Sequence, residues 1–476
     1  MPRIARHLLF AAGVVLALAG LLTLLAWALV DSESVRQRID NTASRAAGME
    51  VRVDGPVGIR VFPAPEFRLQ DLRIRNGGSE WLGAPRANLR VRILPLLSGR
   101  VEVGGIDLVE PELRLVRDSD GAFNFIAARP AEGSGERQPF AIRHFRARAA
   151  TMAFTDQASG EHIEAEGCDL TGRDLEWRPA QSSPAIDLPD FQADLACRSV
   201  TYGALELSGL QARISARDRR LEINPLTGQV FDGRLNARLE SDLSGSSPAH
   251  ALGLELAGFR VERFFETFQP GHAVEGSATF VAQLSFSGRL PSEMVADLNG
   301  QAGLFGTELV LHGQDLDEQL SRYASTQRFN LVDTAALFVA GPAGLAITRG
   351  YGFASLFGET DDRTPIRELV SEWDVAGGVA TARDVALATA ENRIALDGGL
   401  DFVNLQFRDM RVAVIDPEGC ALVEQRIQGG FHDPKIEEPD VLVTLVAPFV
   451  DLLERGIALF TDSPCDPFYT GRVAHP

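Results

Sequence analysis

The feature that most constrains this chain is an uncharged apolar run from Leu8 to Val30. The run contains 23 residues and no proline. As a helix it would span ~34 Å at a rise of ~1.5 Å per residue. That length crosses a bilayer core of ~30 Å, where a single apolar segment satisfies its backbone groups only as a helix. The sequence therefore predicts one transmembrane helix.

The residues around this run predict its orientation and its fate. Two arginines precede it, while Asp31 and Glu33 follow it directly. This bias places the N-terminus in the cytoplasm and the rest of the chain outside, although Arg36 and Arg38 weigh against it. The alternative is a cleaved signal peptide, because residues 26–28 (Ala-Trp-Ala) resemble a cleavage site. The apolar run is longer than the ~7–15 residues typical of signal peptides, so a retained anchor is preferred.

The composition argues against some functions for the exported part. The chain has 46 basic and 65 acidic residues, a net charge of -19. Such a surface repels phosphate backbones, so nucleic-acid binding is not expected. It also gives no electrostatic attraction to anionic headgroups, so any contact with lipid must use apolar surface.

Alternation of apolar and polar residues predicts a chain rich in β-strands. Forty-five glycines and 25 prolines separate short apolar runs, which is typical of strands joined by tight turns. Strands are predicted at 149–154, 191–196, 205–207, 234–243, 251–256, 279–286, 309–312, 394–400 and 410–415. Short helices are predicted at 31–47, 261–268 and 316–324, a helix or turn at 364–369, and an amphipathic helix at 440–460.

Several segments resemble one protein family. Near the N-terminus these are VRVDG at 51–55, FPAPEFRLQDLRIRN at 62–76, and a longer block at 94–125 that contains LLSG, LVEP and DGAFN. A weaker set comprises GQDLDEQL at 313–320, TPIREL at 364–369, AGGVATARDVAL at 376–387 and IALDGGLDF at 394–402. Together they resemble the AsmA family of Gram-negative inner-membrane proteins.

This resemblance implies a fold and a role. The expected fold is mainly β: an N-terminal transmembrane helix, then an elongated, curved antiparallel β-sheet body with a taco-like groove and a few short helices. Family members are related to bridge-like lipid-transfer proteins. The implied role is in outer-membrane biogenesis and envelope integrity, from the inner membrane with the bulk of the chain in the periplasm.

The resemblance and a polar Gly/Ser/Pro-containing segment at 129–139 together predict a modular organisation. The predicted segments are a cytoplasmic stub and membrane helix (1–30), an N-terminal AsmA-like module (31–130), a middle strand array (140–305), a C-terminal AsmA-like module (306–440), and an amphipathic helix with a tail (441–476).

If the strands form one sheet, alternation predicts a common apolar face in the middle of the chain. The candidate residues for contact with lipid on this face are Leu235, Leu239, Leu252, Leu254, Leu284 and Phe286. A covered core and an open groove share the same pattern, so alternation does not choose between them. A shortage of long covering helices favours the open form.

The four cysteines lie in the exported part, where disulfides are permitted. Four cysteines allow three pairings. We predict Cys168–Cys197 and Cys420–Cys465, because the other pairings tie the middle of the body to its end. Neither a CxxC motif nor a neighbouring His indicates a metal site. The Asp118–Gly121 segment lacks the remaining ligands of a calcium loop and is interpreted as a turn.

The sequence therefore favours two functions from different classes. The first is a conduit that handles phospholipid without a cofactor and without catalytic residues. The second is a structural or assembly factor that holds other envelope proteins and carries no lipid. No catalytic motif supports an enzyme.

Overall fold

The computed structural model describes residues 40, 44, 49–60, 66–91, 103–120, 123–125, 140–177, 188–268, 274–313, 315–318, 320, 362–431, 433–437, 440–441 and 465–476. The predicted membrane helix at 8–30 lies outside these residues. No helix within them is long and apolar enough to span a bilayer. They include 22 strands and two short helices whose bounds are described, so the mainly β fold predicted from the sequence is confirmed.

The chain divides into two compact units, Met1–Ile223 and Asn224–Pro476. We call them unit 1 and unit 2. This division is coarser than the modules predicted from the sequence, whose boundaries stay predictions. The segment at 129–139 lies outside the described residues.

Unit 1 is a mixed sheet. Its strands are β1 (Glu50–Val53), β2 (Val57–Arg60), β3 (Glu66–Asn76), β4 (Ser79–Val91), β5 (Val103–Val109), β6 (Glu112–Arg117), β7 (Phe140–Asp156), β8 (His162–Trp177), β9 (Asp190–Tyr202) and β10 (Leu205–Arg217). Both β1 and β2 pair with β3, which pairs with β4. Strands β5 and β6 both lie between β4 and β7, and β8, β9 and β10 follow.

The prediction of a purely antiparallel sheet is wrong at one place. Both β5 and β6 run parallel to β7, whereas the other pairs of unit 1 are antiparallel. A parallel pair needs a crossover of a dozen or more residues, and the connection from residue 118 to 139 is long enough to provide one. Local alternation carries no information on strand direction, so the sequence did not reveal this crossover.

The LVEP segment forms the break between β5 and β6. Glu110 has a positive φ of 52°, and its N–H donates to the carbonyl of Arg148 at 2.8 Å. The carbonyl of Pro111 accepts the N–H of Thr151 at 2.9 Å. Next to these contacts, Ala149 also has a positive φ, and its N–H donates to the Asp169 carboxylate. The two strands therefore bend at matching places, as paired bulges do.

The outer edge of β1 is covered by polar side chains. Asp40 and Ser44 are the described residues of the helix predicted at 31–47, and both are helical. The N–H of Val53 donates to Asp40 Oδ1 at 3.1 Å, and that of Val51 donates to Ser44 Oγ at 2.8 Å. These bonds satisfy donors that an exposed edge strand would offer to another chain.

Unit 2 is antiparallel throughout its described pairs. β11 (Arg220–Val230) spans the boundary. The other strands are β12 (Gly233–Asp242), β13 (Ala249–Arg260), β14 (Val274–Ser287), β15 (Asn299–His312), β16 (Arg363–Ala376), β17 (Val379–Ala388), β18 (Arg393–Asp401), β19 (Gln406–Ile415), β20 (Ala421–Gly430), β21 (Asp433–Ile436) and β22 (Asp440–Val441). Strands β12 to β20 pair in chain order, and both β21 and β22 pair with β20.

The two helices lie between strands of unit 2. Helix α1 (Val261–Phe268) connects β13 to β14, with the bounds predicted from the sequence. Helix α2 (Pro291–Ala296) was not predicted, although its signals are present. Proline begins it, and the Glu293 carboxylate accepts the N–H groups of Arg289 and Leu290, as in a capping box.

The segment Thr364–Leu369 belongs to β16, so the helix or turn predicted there is wrong. Thr364 and Ile366 pair with Leu311 and Leu309 of β15. Both are buried, while the intervening Pro365 is exposed, which is the period of a strand. Two predicted helices extend beyond the described residues. Residues 316–318 of the first are helical, and residues 440–441 of the other form β22.

Candidate functional site

The structure places all six predicted contact residues on one face of unit 2. Leu239 lies opposite Leu252, which lies opposite Leu284. Directly opposed residues of antiparallel strands point to the same side of a sheet. Leu235, Leu254 and Phe286 have the same parity on β12, β13 and β14. We call this surface the apolar face of unit 2.

The apolar face is half-exposed on β12 to β14. Each of the six side chains has intermediate burial. Most residues that alternate with them on the other side are polar and exposed, for example Arg238, Glu240 and Glu255. Arg238 Nη2 donates to Gln283 Oε1 at 3.2 Å on that side. The sheet therefore presents hydrocarbon to one side and charge to the other.

The same face is fully buried farther along the sheet. Trp373 of β16 continues one of its rows through Ala302 and has 7% exposure. Val385, Ile394 and Val412 of β17 to β19 have 1% exposure or less. The apolar face is therefore partly open on β12 to β14 and covered on β17 to β19.

An apolar cleft lies between α1 and strands β14 to β16. It is small, with about 20 Å³ of space for the centre of a water-sized sphere, and all its lining side chains are apolar. Leu304 belongs to this lining and to a row of the apolar face, because it lies opposite Phe280, which lies opposite Leu256. The cleft therefore adjoins the apolar face.

Helix α1 is anchored beside this cleft by one carboxylate. Glu262 Oε2 accepts the N–H of Gly276 at 3.1 Å, and Arg260 Nε donates to Glu262 Oε1 at 2.6 Å. Burial alone raises the pKa of Glu262, but backbone hydrogen bonds and Arg260 outweigh it, so the pKa lies below its ordinary value. The helix presents Val261 and Phe264 inwards as buried residues.

Two polar groups on the apolar face, His250 and Trp373, each have one hydrogen-bond partner, and His250 Nε2 is buried without one. At the end of β12 and β13, His250 Nδ1 lies 2.8 Å from Ser241 Oγ, and its ring stacks on Phe286 with centroids 5.0 Å apart. On β16, Trp373 Nε1 donates to Ser371 Oγ at 2.7 Å. These groups therefore interrupt the hydrocarbon surface less than free polar groups would.

Unit 1 has an apolar face of its own, which the sequence reasoning missed. Three rows of directly opposed apolar side chains cross its strands, and many of their members are half-buried. The central row consists of Val57, Leu69, Ala87, Leu108, Ala147, Leu170, Leu195 and Ala212. The opposite face carries ion pairs such as Asp107 with Arg148 and Asp194 with Arg213.

Both cysteine pairs proposed from the sequence are bonded in the structure. Cys168 of β8 and Cys197 of β9 have Cα atoms 4.0 Å apart and are buried among apolar residues of unit 1. Cys420 and Cys465 have Cα atoms 6.1 Å apart. None of the cysteines among the described residues is a free thiol.

The described residues hold no group of three or more His, Cys, Asp or Glu that could bind a metal ion. At the Asp118–Gly121 segment, the N–H of Asp120 donates to Asp118 Oδ1 at 3.0 Å. This bond is that of an Asx turn. In the same region, the Asn124 amide bridges the backbone of Val116 and Arg114, so Asn124 has a structural role.

Comparison with models of known protein families identifies the family of this chain. The model of the AsmA family matches residues 1–181 and 141–385. The chain belongs to the AsmA family. The two matches extend without a gap to residue 385, so the AsmA match includes the middle of the chain, which the sequence motifs did not reach. No curated protein and no solved structure matches the chain.

Proposed function

We propose that this AsmA-family protein is anchored in the inner membrane by residues 8–30 and handles phospholipid in the periplasm for outer-membrane biogenesis and envelope integrity. The observation that carries the proposal is the separation of the two sheet faces. The sheet of unit 1 and strands β12 to β14 of unit 2 each have an apolar, in part half-exposed face opposite a charged one. Family membership supports the same role.

Apolar area alone supplies enough free energy for holding a lipid chain. Burial of hydrocarbon stabilises by ~0.8 kcal/mol per CH₂. A 16-carbon chain along the apolar face would gain on the order of 12 kcal/mol before the costs of ordering are subtracted. The headgroup can stay in water, so the function requires no cofactor, metal ion or catalytic residue. We propose accordingly that the protein is not an enzyme.

The competing function is a structural or assembly factor for envelope proteins, for which the buried stretch of the face would be a core. The two proposals differ in what a charge on the half-exposed stretch does. A charge there disrupts hydrocarbon contact, whereas a scaffold that binds through its polar surface tolerates it.

The test introduces a charge into the apolar face. We expect Leu239→Arg and Leu284→Asp to fold and reach the membrane, because both positions are half-buried. Native mass spectrometry of the extracted protein should show lipid bound to the wild type and a loss of that lipid in both variants. Both variants should also fail to complement an envelope defect.

Ala251→Arg is the matched control. Ala251 lies on β13 beside Leu252 but points to the charged face, where it is exposed and lies opposite Glu240. This variant should keep both lipid and activity. If Leu239→Arg and Leu284→Asp fold and keep full activity, the assembly-factor function replaces the lipid function.

The proposed location has its own test. Alkaline phosphatase fused after Phe125 should be active, and a fluorescent protein that matures only in the cytoplasm should stay dark there, because the charge bias places this part outside. Reversed activities would contradict the topology. A mature chain that begins near Leu29 would show a cleaved signal peptide instead of an anchor.

A further inference from the structure

The cleft beneath α1 has the chemistry of a site for hydrocarbon. Its lining includes Phe264 and Phe265 of α1, Ala278 of β14, Leu309 of β15 and Leu369 of β16. None of the lining side chains has a nitrogen or oxygen atom, so they offer a water molecule no hydrogen bond. Apolar cavities of this kind stay dry and accept apolar ligands.

A row of the apolar face leads into this cleft. Leu235, Leu256, Phe280 and Leu304 lie opposite one another on β12, β13, β14 and β15. Leu235 and Phe280 are half-buried, whereas Leu256 has 9% exposure and Leu304, which also lines the cleft, has 5%. The row crosses three strand spacings, about 14 Å at ~4.8 Å each. A linear molecule lying across the strands would therefore reach the cleft with its innermost end.

The lining of the cleft offers no partner to a charged end group, and the charged Glu262 beside it is already bonded to Arg260 and to the N–H of Gly276. Helix α1 closes one side, and it carries its charged Arg263 and Glu266 outwards, where both are exposed and paired with each other. The end of the ligand that enters the cleft must therefore be uncharged and apolar, as the methyl end of an alkyl chain is. A carboxylate or phosphate end would be desolvated without a partner.

We propose that the cleft beneath α1 binds the terminal methyl segment of a lipid acyl chain, so that unit 2 holds the chain in one direction, with its methyl end under α1 and its polar end towards β12. This inference rests on the proposed function and specifies the chain orientation within it.

Two photoreactive fatty acids test the orientation. Full-length protein in lipid nanodiscs is incubated with palmitic acid that carries a diazirine either at the terminal carbon or next to the carboxyl group, then irradiated and mapped by peptide mass spectrometry. The terminal label should attach to cleft residues such as Phe264, Leu309 and Leu369. The carboxyl-side label should attach to the stretch of Leu239 and Leu252.

Two variants of α1 provide a matched pair. Phe265 and Phe268 are both half-buried phenylalanines of the same helix, and only Phe265 lines the cleft. Phe265→Trp should narrow the cleft and lower terminal labelling there by about tenfold, the equivalent of losing roughly two buried methylenes. Phe268→Trp should leave it within about twofold. Phe265→Ala should keep the label, and it serves as the second variant if the tryptophan disturbs folding.

Each outcome bears on one proposal or both. Terminal label on Leu239 and Leu252 without label in the cleft overturns the orientation but leaves lipid binding intact. Equal loss in Phe265→Trp and Phe268→Trp, or loss in Phe265→Ala, overturns the assignment of the cleft. Label confined to unit 1 overturns the orientation alone. If neither probe labels the protein, the orientation and the proposed lipid function both fail.

Discussion

One buried carboxylate organises the turn between β18 and β19. Asp401 has 0% exposure. Its Oδ1 accepts the N–H groups of Val403 at 3.0 Å and Asn404 at 2.9 Å, and its Oδ2 accepts Arg408 Nη2 at 2.6 Å. Burial alone raises the pKa of Asp401, but these donors lower it far below the ordinary carboxyl value.

Asp401→Asn should therefore destabilise the protein by about 2–3 kcal/mol, because the donors of Arg408 and Asn404 at Oδ2 would face an amide NH2 in place of a charged acceptor. Urea denaturation of the full chain measures this. The stabilisation by Asp401 should be present above the ordinary carboxyl pKa of ~3.9 and be lost as the pH falls through the lower folded value. The control Asp374→Asn changes an exposed carboxylate of β16 and should stay within about 0.5 kcal/mol. Equal stability of both variants would contradict this role.

The side of the sheet on which each residue lies was the part of the site that the sequence could predict. Leu235, Leu239 and Leu252 alternate with charged or small residues, so their shared side follows from the strand period. The face of unit 1 was harder to recognise, because Ala87, Ala147 and other small residues occupy its buried positions. These residues give little hydrophobic contrast, and only the register shows that they lie in rows.

At the scale of elements, the C-terminal segment acts as a strap on unit 2. Tyr469 and Val473 of residues 465–476 pack against Ala386, Ala395 and Ala413 of β17, β18 and β19. The Tyr469 hydroxyl donates to Asp384 Oδ1 at 2.5 Å and accepts the N–H of Val473 at 3.1 Å. Arg393 Nη1 donates to the carbonyl of Val473 at 3.2 Å. The disulfide at Cys465 fixes the beginning of the strap.

We expect non-reducing peptide mapping to recover two linked pairs, Cys168 with Cys197 and Cys420 with Cys465. Their sequence separations are 29 and 45 residues, so each could contribute ~3–4 kcal/mol in the chain-entropy model. Reduction should therefore lower the free energy of unfolding. Four free thiols, or a peptide linking Cys197 to Cys420, would refute the pairing.

Elements with local signals were predictable, and those set by distant pairing were not. Helix α1 combines a helical apolar stripe with acidic Glu262 in its first turn, so its bounds followed from the sequence. Thr364–Leu369 gave a turn-like signal because of Pro365, but pairing with β15 makes it a strand. The parallel pairs of β7 likewise depend on a crossover that no local pattern records.

At the scale of the whole molecule, the account depends on two features. One is the AsmA family match from residue 1 to 385. The other is the separation of an apolar face from a charged one, in the sheet of unit 1 and on β12 to β14 of unit 2. The family and the mainly β fold were predictable from motifs and alternation. The division between half-exposed and buried stretches of the face was not, because identical alternation serves both.

The most direct test of lipid contact uses two neighbouring residues of β13. A photoreactive amino acid is placed in cells at Leu252, on the apolar face, or at Ala251, on the charged face, and the captured molecules are identified by mass spectrometry. The account predicts that position 252 captures phospholipid and position 251 captures far less. Capture of protein partners without lipid at position 252, or equal lipid capture at both positions, would contradict it.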